Sequence, residues 1–391
     1  MTDLTPYILL VDDSPVNIDI LKDSLSRYKC LSATNGQEAL KLALSSTKPD
    51  LILLDVIMPG MDGYEVCRRL KREPTTQEVP IIFITGQNDP QSILKGFEAG
   101  AIDYITKPFN IPELKARVKT QITIKMARDQ NQRLIHKIEA INKKLTDSIE
   151  YAKKIQAASL PKPEYLNQVM PEHFVFYKPR DIVSGDFFWV RELDSKLIII
   201  AADCTGHGVP GAIMSMFGVA YLNEIVGKEN VTKPSEILNQ LRTSVIESLN
   251  QDEDSEVKDG MDISVVTLNM KNQQVEFAGA FNSMLHIRDN QLTVYPADHM
   301  PVSYGLKDRS FTNHIIPIQN NDCLYLFTDG FADQFGGEMG KKLMQKGFKH
   351  LILQNHHLPM QEQKRIYTSF FENWKGTQEQ VDDVLLIGVR L

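Results

Sequence analysis

The 391-residue sequence predicts three consecutive architectures. Residues 1–122 read as an α/β domain, a five-stranded doubly wound parallel sheet. Residues 123–160 read as a long helical coiled-coil linker, and residues 161–391 as an α+β sandwich. Three observations carry this. Short apolar runs alternate with helical patterns in the first third, neither Gly nor Pro interrupts the chain between Pro112 and Pro161, and beyond that many strand-like runs are interleaved with few helices. A chain of this length is also too long for one ordinary core.

In the first segment Tyr7–Val11, Leu51–Leu54 and Ile81–Ile84 read as strands, with helical patterns over Val16–Tyr28 and Gln37–Leu44. In a parallel sheet of this kind the working residues sit at the carboxyl ends of strands. Asp12 and Asp13 follow the first strand, Asp55 closes the third, Thr85 ends the fourth, and Lys107-Pro108 follows the apolar Tyr104-Ile105 of the fifth. Three carboxylates on one rim repel one another unless a divalent cation lies among them, and all-oxygen ligation suits Mg2+. With a metal present Asp55 has the chemistry of a nucleophile toward a phosphoryl group, and Lys107 and the Thr85 hydroxyl would hold its oxygens.

This constellation, with Met58-Pro59-Gly60 and Thr85-Gly86 in order, resembles the receiver domain of bacterial two-component response regulators over the whole segment. The resemblance implies Asp55 as phosphoacceptor, Asp13 and Asp55 as Mg2+ ligands assisted by Asp12, and a sensor histidine kinase or phosphotransfer protein as partner. It also implies Thr85 and Tyr104 as a switch pair, with simple packing an equal alternative for Tyr104. Ile57, two past the phosphoacceptor, offers the metal only a backbone carbonyl and cannot position a water. A long-lived phosphoryl group is therefore expected, and an autodephosphorylation half-life of seconds would contradict it.

Asn110-Ile-Pro-Glu113 reads as a helix start, with Asn110 as N-cap and Glu113 reaching back in a capping box. A helix of roughly 50 residues and ~75 Å can follow. A heptad places Ile124, Ala127, Asn131, Leu134, Ile138, Ile141, Leu145, Ser148, Ala152 and Ile155 on one seam, which predicts a parallel two-stranded homodimer with Asn131 fixing the register. The alternative is an amphipathic helix folded back on its own domains.

Beyond Pro161-Lys-Pro163, strand-like runs fall at Phe174–Tyr177, Leu197–Ala202, Ser264–Asn269, Gln274–Ala278, Met284–Arg288, Cys323–Thr328 and Val384–Val389. Helical patterns fall at Gly211–Val226, Pro234–Leu249 and Gln361–Trp374. Four acidic motifs punctuate the segment: Ile182-Val-Ser-Gly185-Asp186-Phe-Phe, Asp203-Cys-Thr-Gly-His-Gly208, Phe327-Thr-Asp329-Gly330-Phe and Val381-Asp382-Asp383-Val-Leu-Leu. Asp203 and Asp329 stand at strand ends, where a glycine corner lets backbone approach a ligand. In this order, and with Phe277-Ala-Gly279-Ala-Phe-Asn282-Ser-Met-Leu, they resemble the metal-dependent (PPM-type) serine/threonine protein phosphatases of the bacterial SpoIIE-like branch.

That resemblance implies an αββα sandwich and two Mn2+ or Mg2+ ions that generate hydroxide from a bridging water. Asp203 would bridge the ions, the Cys204 carbonyl and Asp186 would serve one, and Asp329 and Asp382 the other. It further implies as substrate a phosphoserine or phosphothreonine on a partner-switching protein of the anti-sigma-factor antagonist type. Departures are Ser184 where Gly is usual, and Leu385 where a Thr hydroxyl could orient a ligand. Further candidates are Arg180 as a phosphate clamp, His207 as the proton donor to the leaving oxygen or as a packing residue, and Asp262 and Asp383 near the metals. Gln251–Glu256 reads as a solvated acidic loop, and His356-His357 as surface.

Composition bounds the rest. A net charge of −7 gives no footprint for nucleic acid or an anionic membrane. Cys30, Cys67, Cys204 and Cys323 form no C-x-x-C pair, as in a reduced cytoplasmic protein without a zinc site. No apolar run approaches the ~20 residues needed to span a bilayer, and the N-terminus shows no signal peptide, so a soluble protein without membrane insertion is expected. The outputs that compete with an active phosphatase are a catalytically silent phosphatase fold that binds protein, and a nucleotide cyclase, for which Gly336-Gly-Glu338 is the sole hint. A DNA-binding output lacks a basic helix-turn-helix pattern.

Overall fold

The computed structural model describes residues 5–86, 90–170, 172–255, 258–305 and 309–391; Glu256, the end of the acidic run, lies outside them. The chain divides into two compact units, 1–142 and 143–391, a boundary that falls inside the expected linker.

The first unit runs β1 (Tyr7–Val11), α1 (Pro15–Ser24), β2 (Lys29–Ala33), α2 (Gly36–Ala43), β3 (Leu51–Asp55), α3 (Gly63–Arg72), β4 (Ile81–Thr85), α4 (Pro90–Glu98), β5 (Asp103–Thr106) and into α5 (Ile111–Ser159). The strands form one parallel sheet ordered β2-β1-β3-β4-β5. Alternate residues of β3 feed two cores, Ile52 and Leu54 one, Leu51 and Leu53 the other, so the strand is apolar without a break. Register aligns the strand ends. Val11 lies opposite Leu54, Asp55 opposite Ile84, and Thr85 opposite Thr106. Gly63 is required where α3 meets this rim, because a Cβ there would stand 2.2 Å from the Asp55 carbonyl oxygen.

At the start of α5 the Asn110 side chain accepts from Glu113 N at 3.3 Å, as expected of an N-cap. The capping box is not completed. Glu113 turns its carboxylate to Arg117 at 2.8 Å, and Arg117 also pairs with Asp103, because a guanidinium one turn on is the stronger partner. Leu114, Val118 and Ile122 dock in the core. From Ile124 the proposed seam is exposed on the single chain apart from the half-buried Ala152, with Ile138, Ile141 and Leu145 each exposed by more than half.

The second unit, after the end of α5, runs α6 (Pro163–Val169), β6 (His173–Lys178), β7 (Phe187–Leu193), β8 (Lys196–Cys204), α7 (Gly208–Ile225), α8 (Pro234–Ser248), β9 (Met261–Asn269), β10 (Gln274–Ala280), β11 (Met284–Arg288), β12 (Gln291–Tyr295), β13 (His314–Pro317), β14 (Cys323–Phe327), α9 (Gly330–Asp333), the short pair β15 (Phe335–Gly336) and β16 (Lys341–Lys342), α10 (Met344–Asn355), α11 (Met360–Lys375) and β17 (Val384–Arg390). Two antiparallel sheets, β13-β10-β9-β8-β7 and β12-β11-β14-β17-β6, stack face to face. Strand alternation sorts three cores. Ile198, Ile200 and Ala202 of β8 face α7 and α8, Ile199 and Ala201 meet Leu326 and Leu385 of the opposite sheet, and Tyr325 and Leu386 face α10 and α11. The result is the αββα layering expected. Among the described residues no helix is long and apolar enough to cross a membrane.

Candidate metal centres

Sheet register builds the first centre. Asp12 and Asp55 sit at neighbouring strand ends, both buried, while Asp13 faces solvent. Their carboxylate oxygens, one from each, lie within 4.8 Å of one another. Lys107 Nζ stands 2.8 Å from Asp12 Oδ2 and 2.7 Å from Asp55 Oδ2. Burial holds the Asp55 carboxyl above its ordinary range, against the lowering pull of Lys107. Three hard-oxygen donors and one cation suit a small divalent metal beside a phosphoryl acceptor. Thr85 and Tyr104 line one small cavity with Tyr64 and Phe83, and the Tyr104 ring meets Phe97 edge-on at 6.3 Å.

Pairing also assembles the second centre. Across β7, β8 and β9, Phe187 lies opposite Ala202 and Asp203 opposite Asp262, so Asp186, Asp203 and Asp262 come side by side. Asp203 shares the parity of Ala201 and therefore faces the other sheet. There Phe327 pairs with Leu386, which brings Thr328-Asp329 beside Asp382-Asp383. Gly185 is required, since a Cβ would stand 2.6 Å from the Gly206 carbonyl oxygen and 3.2 Å from that of Cys204. The Cys204 thiol is buried in the helix-facing core, which leaves its carbonyl as the donor this residue can offer the site.

Asp186, Asp203, Asp262, Asp329 and Asp382 have raised pKa values. Burial, then Asp203, holds the Asp186 carboxyl well above its ordinary range. Burial, then Asp329, Asp382 and Asp262, pushes Asp203 up to about 8. Burial pushes Asp262 and Asp329 each up to about 6, with Asp329 and Asp382 respectively as the next cause. Asp382 is raised as well, by burial. Buried carboxylates whose mutual crowding outweighs the nearby cations, Lys342 at Asp329 and Arg180 and His207 at Asp382, are the donor set that hard dications fit.

A carboxyl whose folded pKa exceeds its unfolded value of 3.8 contributes fully below that value and loses the contribution as pH rises through the folded one, here about 6 to about 8. In EDTA the melting temperature of the second unit should fall as pH rises from 5 to 8, and saturating Mn2+ should remove most of that slope. Burial lowers the pKa of His173, which works in the opposite direction, but as one group against five. A flat metal-free profile would contradict the crowding.

Other candidates fall around this cluster. His207 Nδ1 lies 2.8 Å from Asp181 Oδ2, a partner not foreseen, and His207 and Arg180 both stand near enough to Asp382 to lower its pKa against burial. Arg180 Nη1 donates to Val381 O at 2.9 Å. Asp383 stands near enough to Asp186 and Asp203 to raise their pKa values, and its own oxygens accept backbone N–H groups from Arg180 and Gly185, each at 2.7 Å. The hydroxyl missing at Leu385 is supplied elsewhere. Thr328 Oγ1 donates to Asp186 Oδ2 at 2.7 Å and accepts from Leu385 N at 3.0 Å, while the Leu385 side chain fills the inter-sheet core. His356 and His357 meet each other edge-on at 5.9 Å, away from these acids.

Comparison with known proteins agrees with both halves. The family model for the response regulator receiver domain matches residues 8–119, and that for Stage II sporulation protein E (SpoIIE) matches residues 194–391. The SiaA-PP2C domain of Pseudomonas aeruginosa is 30% identical with a TM-score of 0.60, covering 64% of this chain and 99% of that one. A probable cyclic di-GMP phosphodiesterase of Vibrio cholerae is 45% identical over 123 residues, 31% of this chain and 28% of that protein's length. The DNA-binding dual master transcriptional regulator RpaA of Synechocystis is 32% identical over 244 residues, 59% of this chain and 100% of RpaA. The chain belongs to the Stage II sporulation protein E (SpoIIE) family of PPM-type phosphatases, with a response regulator receiver domain at residues 8–119.

Proposed function

We propose that this protein is a two-component response regulator whose output is a metal-dependent serine/threonine protein phosphatase, governed by phosphorylation of Asp55. The observation that carries the reading is the gathering of Asp186, Asp203, Asp262, Asp329 and Asp382 from separate strands into one repulsive field.

Two Mn2+ or Mg2+ ions held there would supply an activated water and neutralise phosphoryl oxygens. Asp203 lies between the acids of the two sheets, as a shared ligand requires. Asp186, oriented by Thr328, and the Cys204 carbonyl serve one side, with Asp329 and Asp382 on the other. Asp262, opposite Asp203, is available to either. Arg180 at the rim holds a phosphate, and His207, oriented by Asp181 through Nδ1, offers a proton to the leaving serine or threonine oxygen. No covalent phosphoenzyme forms in this half. In the other, Asp12, Asp13 and Asp55 would hold Mg2+, which would supply charge neutralisation, while Asp55 would accept the phosphoryl group and Lys107 would neutralise its oxygens.

A sensor histidine kinase or phosphotransfer protein supplies the phosphoryl group. The substrate is a phosphoserine or phosphothreonine of a partner-switching protein in the cytoplasm, on the pattern of an anti-sigma-factor antagonist. The exposed apolar seam of α5 pairs with a second copy in parallel, and a monomer at micromolar concentration would refute that pairing. The test is phosphate release from a phosphoprotein panel, with and without acetyl phosphate. Wild type should respond to acetyl phosphate and Asp55→Ala should not. Equal rates in all arms would break the link between receiver and output.

A further inference from the structure

Gln156 lies near the end of α5 and is 5% exposed, the one polar side chain buried among the described residues of that helix. A buried amide has to find partners for two donors and an acceptor. Gln156 Oε1 accepts from Ser184 N at 3.1 Å, and Nε2 donates to Ser184 O at 2.5 Å and to Ser215 Oγ at 2.9 Å. The amide thus holds both backbone groups of one residue, much as an adjacent strand would. Ser184 is two residues before Asp186, and Gly185 between them donates to Asp383 Oδ2 at 2.7 Å. Ser215 lies in α7, the helix that follows the Asp203–His207 loop, and its hydroxyl also donates to Ala212 O at 2.9 Å. The segment carrying Asp186 is therefore gripped by α5 on one side and by Asp383 on the other.

We propose that Gln156 is a positioning residue for the phosphatase centre, making the last turn of the long helix part of what fixes Asp186. This rests on the phosphatase reading given above. The helix is unbroken from Ile111, four residues after Lys107, so a rotation or shift of α5 reaches Ser184 through this amide. Gln156 touches no reacting atom. It acts by holding the backbone from which Asp186 projects.

The test uses the full chain. Gln156→Met keeps the volume and removes the amide, while Gln156→Glu keeps an acceptor for Ser184 N–H and turns a carboxylate oxygen onto Ser184 O. The readouts are amide hydrogen exchange over residues 182–187, Mn2+ binding by calorimetry, hydrolysis of p-nitrophenyl phosphate and acetyl-phosphate labelling of Asp55. In both variants exchange in that segment should quicken about tenfold, the scale of one net hydrogen bond. The Mn2+ dissociation constant should rise about fivefold and kcat fall about tenfold, with KM and labelling little changed, since only the site's backbone support is touched. A side chain that merely fills space would move the melting temperature alone. Wild-type exchange, Mn2+ affinity and rate in Gln156→Met overturn the proposal. Should both variants fail to fold, Ser215→Ala, which removes one of the three bonds, is expected to quicken the same exchange about threefold, and unchanged exchange there overturns it. A wild-type protein that binds Mn2+ but hydrolyses nothing defeats the phosphatase reading, and the exchange and binding arms still decide the role of Gln156.

Discussion

Asp203→Asn is expected to lower Mn2+-dependent hydrolysis of p-nitrophenyl phosphate by about a thousandfold or more, a loss of about 4 kcal/mol of transition-state stabilisation. The same substitution should raise the melting temperature of the metal-free protein at pH 8. Asp203 stands between acids of both sheets, and burial together with Asp329, Asp382 and Asp262 pushes its carboxyl up to about 8. Asparagine keeps the shape and removes the charge that the neighbours oppose. It also removes the ligand best placed to be shared between two dications, so function and metal-free stability move in opposite directions. Hydrolysis assays across a Mn2+ titration, paired with melting curves in EDTA, check both signs. A variant that stays active, or that melts lower without metal, would sink the shared-ligand role.

The parts of this centre that were legible in the sequence are those governed by a single strand. Asp203 and Asp329 follow buried apolar runs, so their place at strand ends can be read from the pattern alone. Asp12, Asp55 and Thr85 are the same case in the receiver. What escaped depends on pairing between distant segments. Asp262 can be named from the sequence as a candidate near the metals, but β9 is what sets it opposite Asp203, and no local pattern gives that register. Gln156 finds Ser184 across 28 residues, His207 finds Asp181 across 26, and Thr328 finds Asp186 across 142. Leu385 shows the same blindness, since one position suggested a lost hydroxyl that the neighbouring strand supplies. β7 gives no clear strand signal, because Phe187–Leu193 passes from an apolar run into Arg191 and Glu192 where the strand leaves the core. α10 gives no clear helical signal, because Gly347 and two lysines interrupt its short apolar pattern.

Asp383→Ala is expected to do the reverse of Asp203→Asn and destabilise the metal-free protein, although both residues are aspartates of one acidic cluster. Asp383 is 2% exposed, and its two oxygens accept from Arg180 N and Gly185 N, each at 2.7 Å. Alanine leaves two N–H groups without these acceptors, at about 1–3 kcal/mol each. A loss of roughly 4 kcal/mol in a unit of this size corresponds to a melting temperature lower by about 10 °C. Asparagine should fall between, because its amide oxygen satisfies one N–H while its NH2 faces the other. Activity should drop as well, since Gly185 leads directly into Asp186 and Arg180 sits at the rim, but the drop should track the loss of stability. A residue that bound metal directly would instead stabilise the metal-free protein when neutralised, as Asp203 should. Melting curves in EDTA for the two variants, side by side at pH 8, separate the brace from the ligand by sign. Shifts in the same direction would mean that Asp383 belongs among the metal-holding acids and that its hydrogen bonds contribute little.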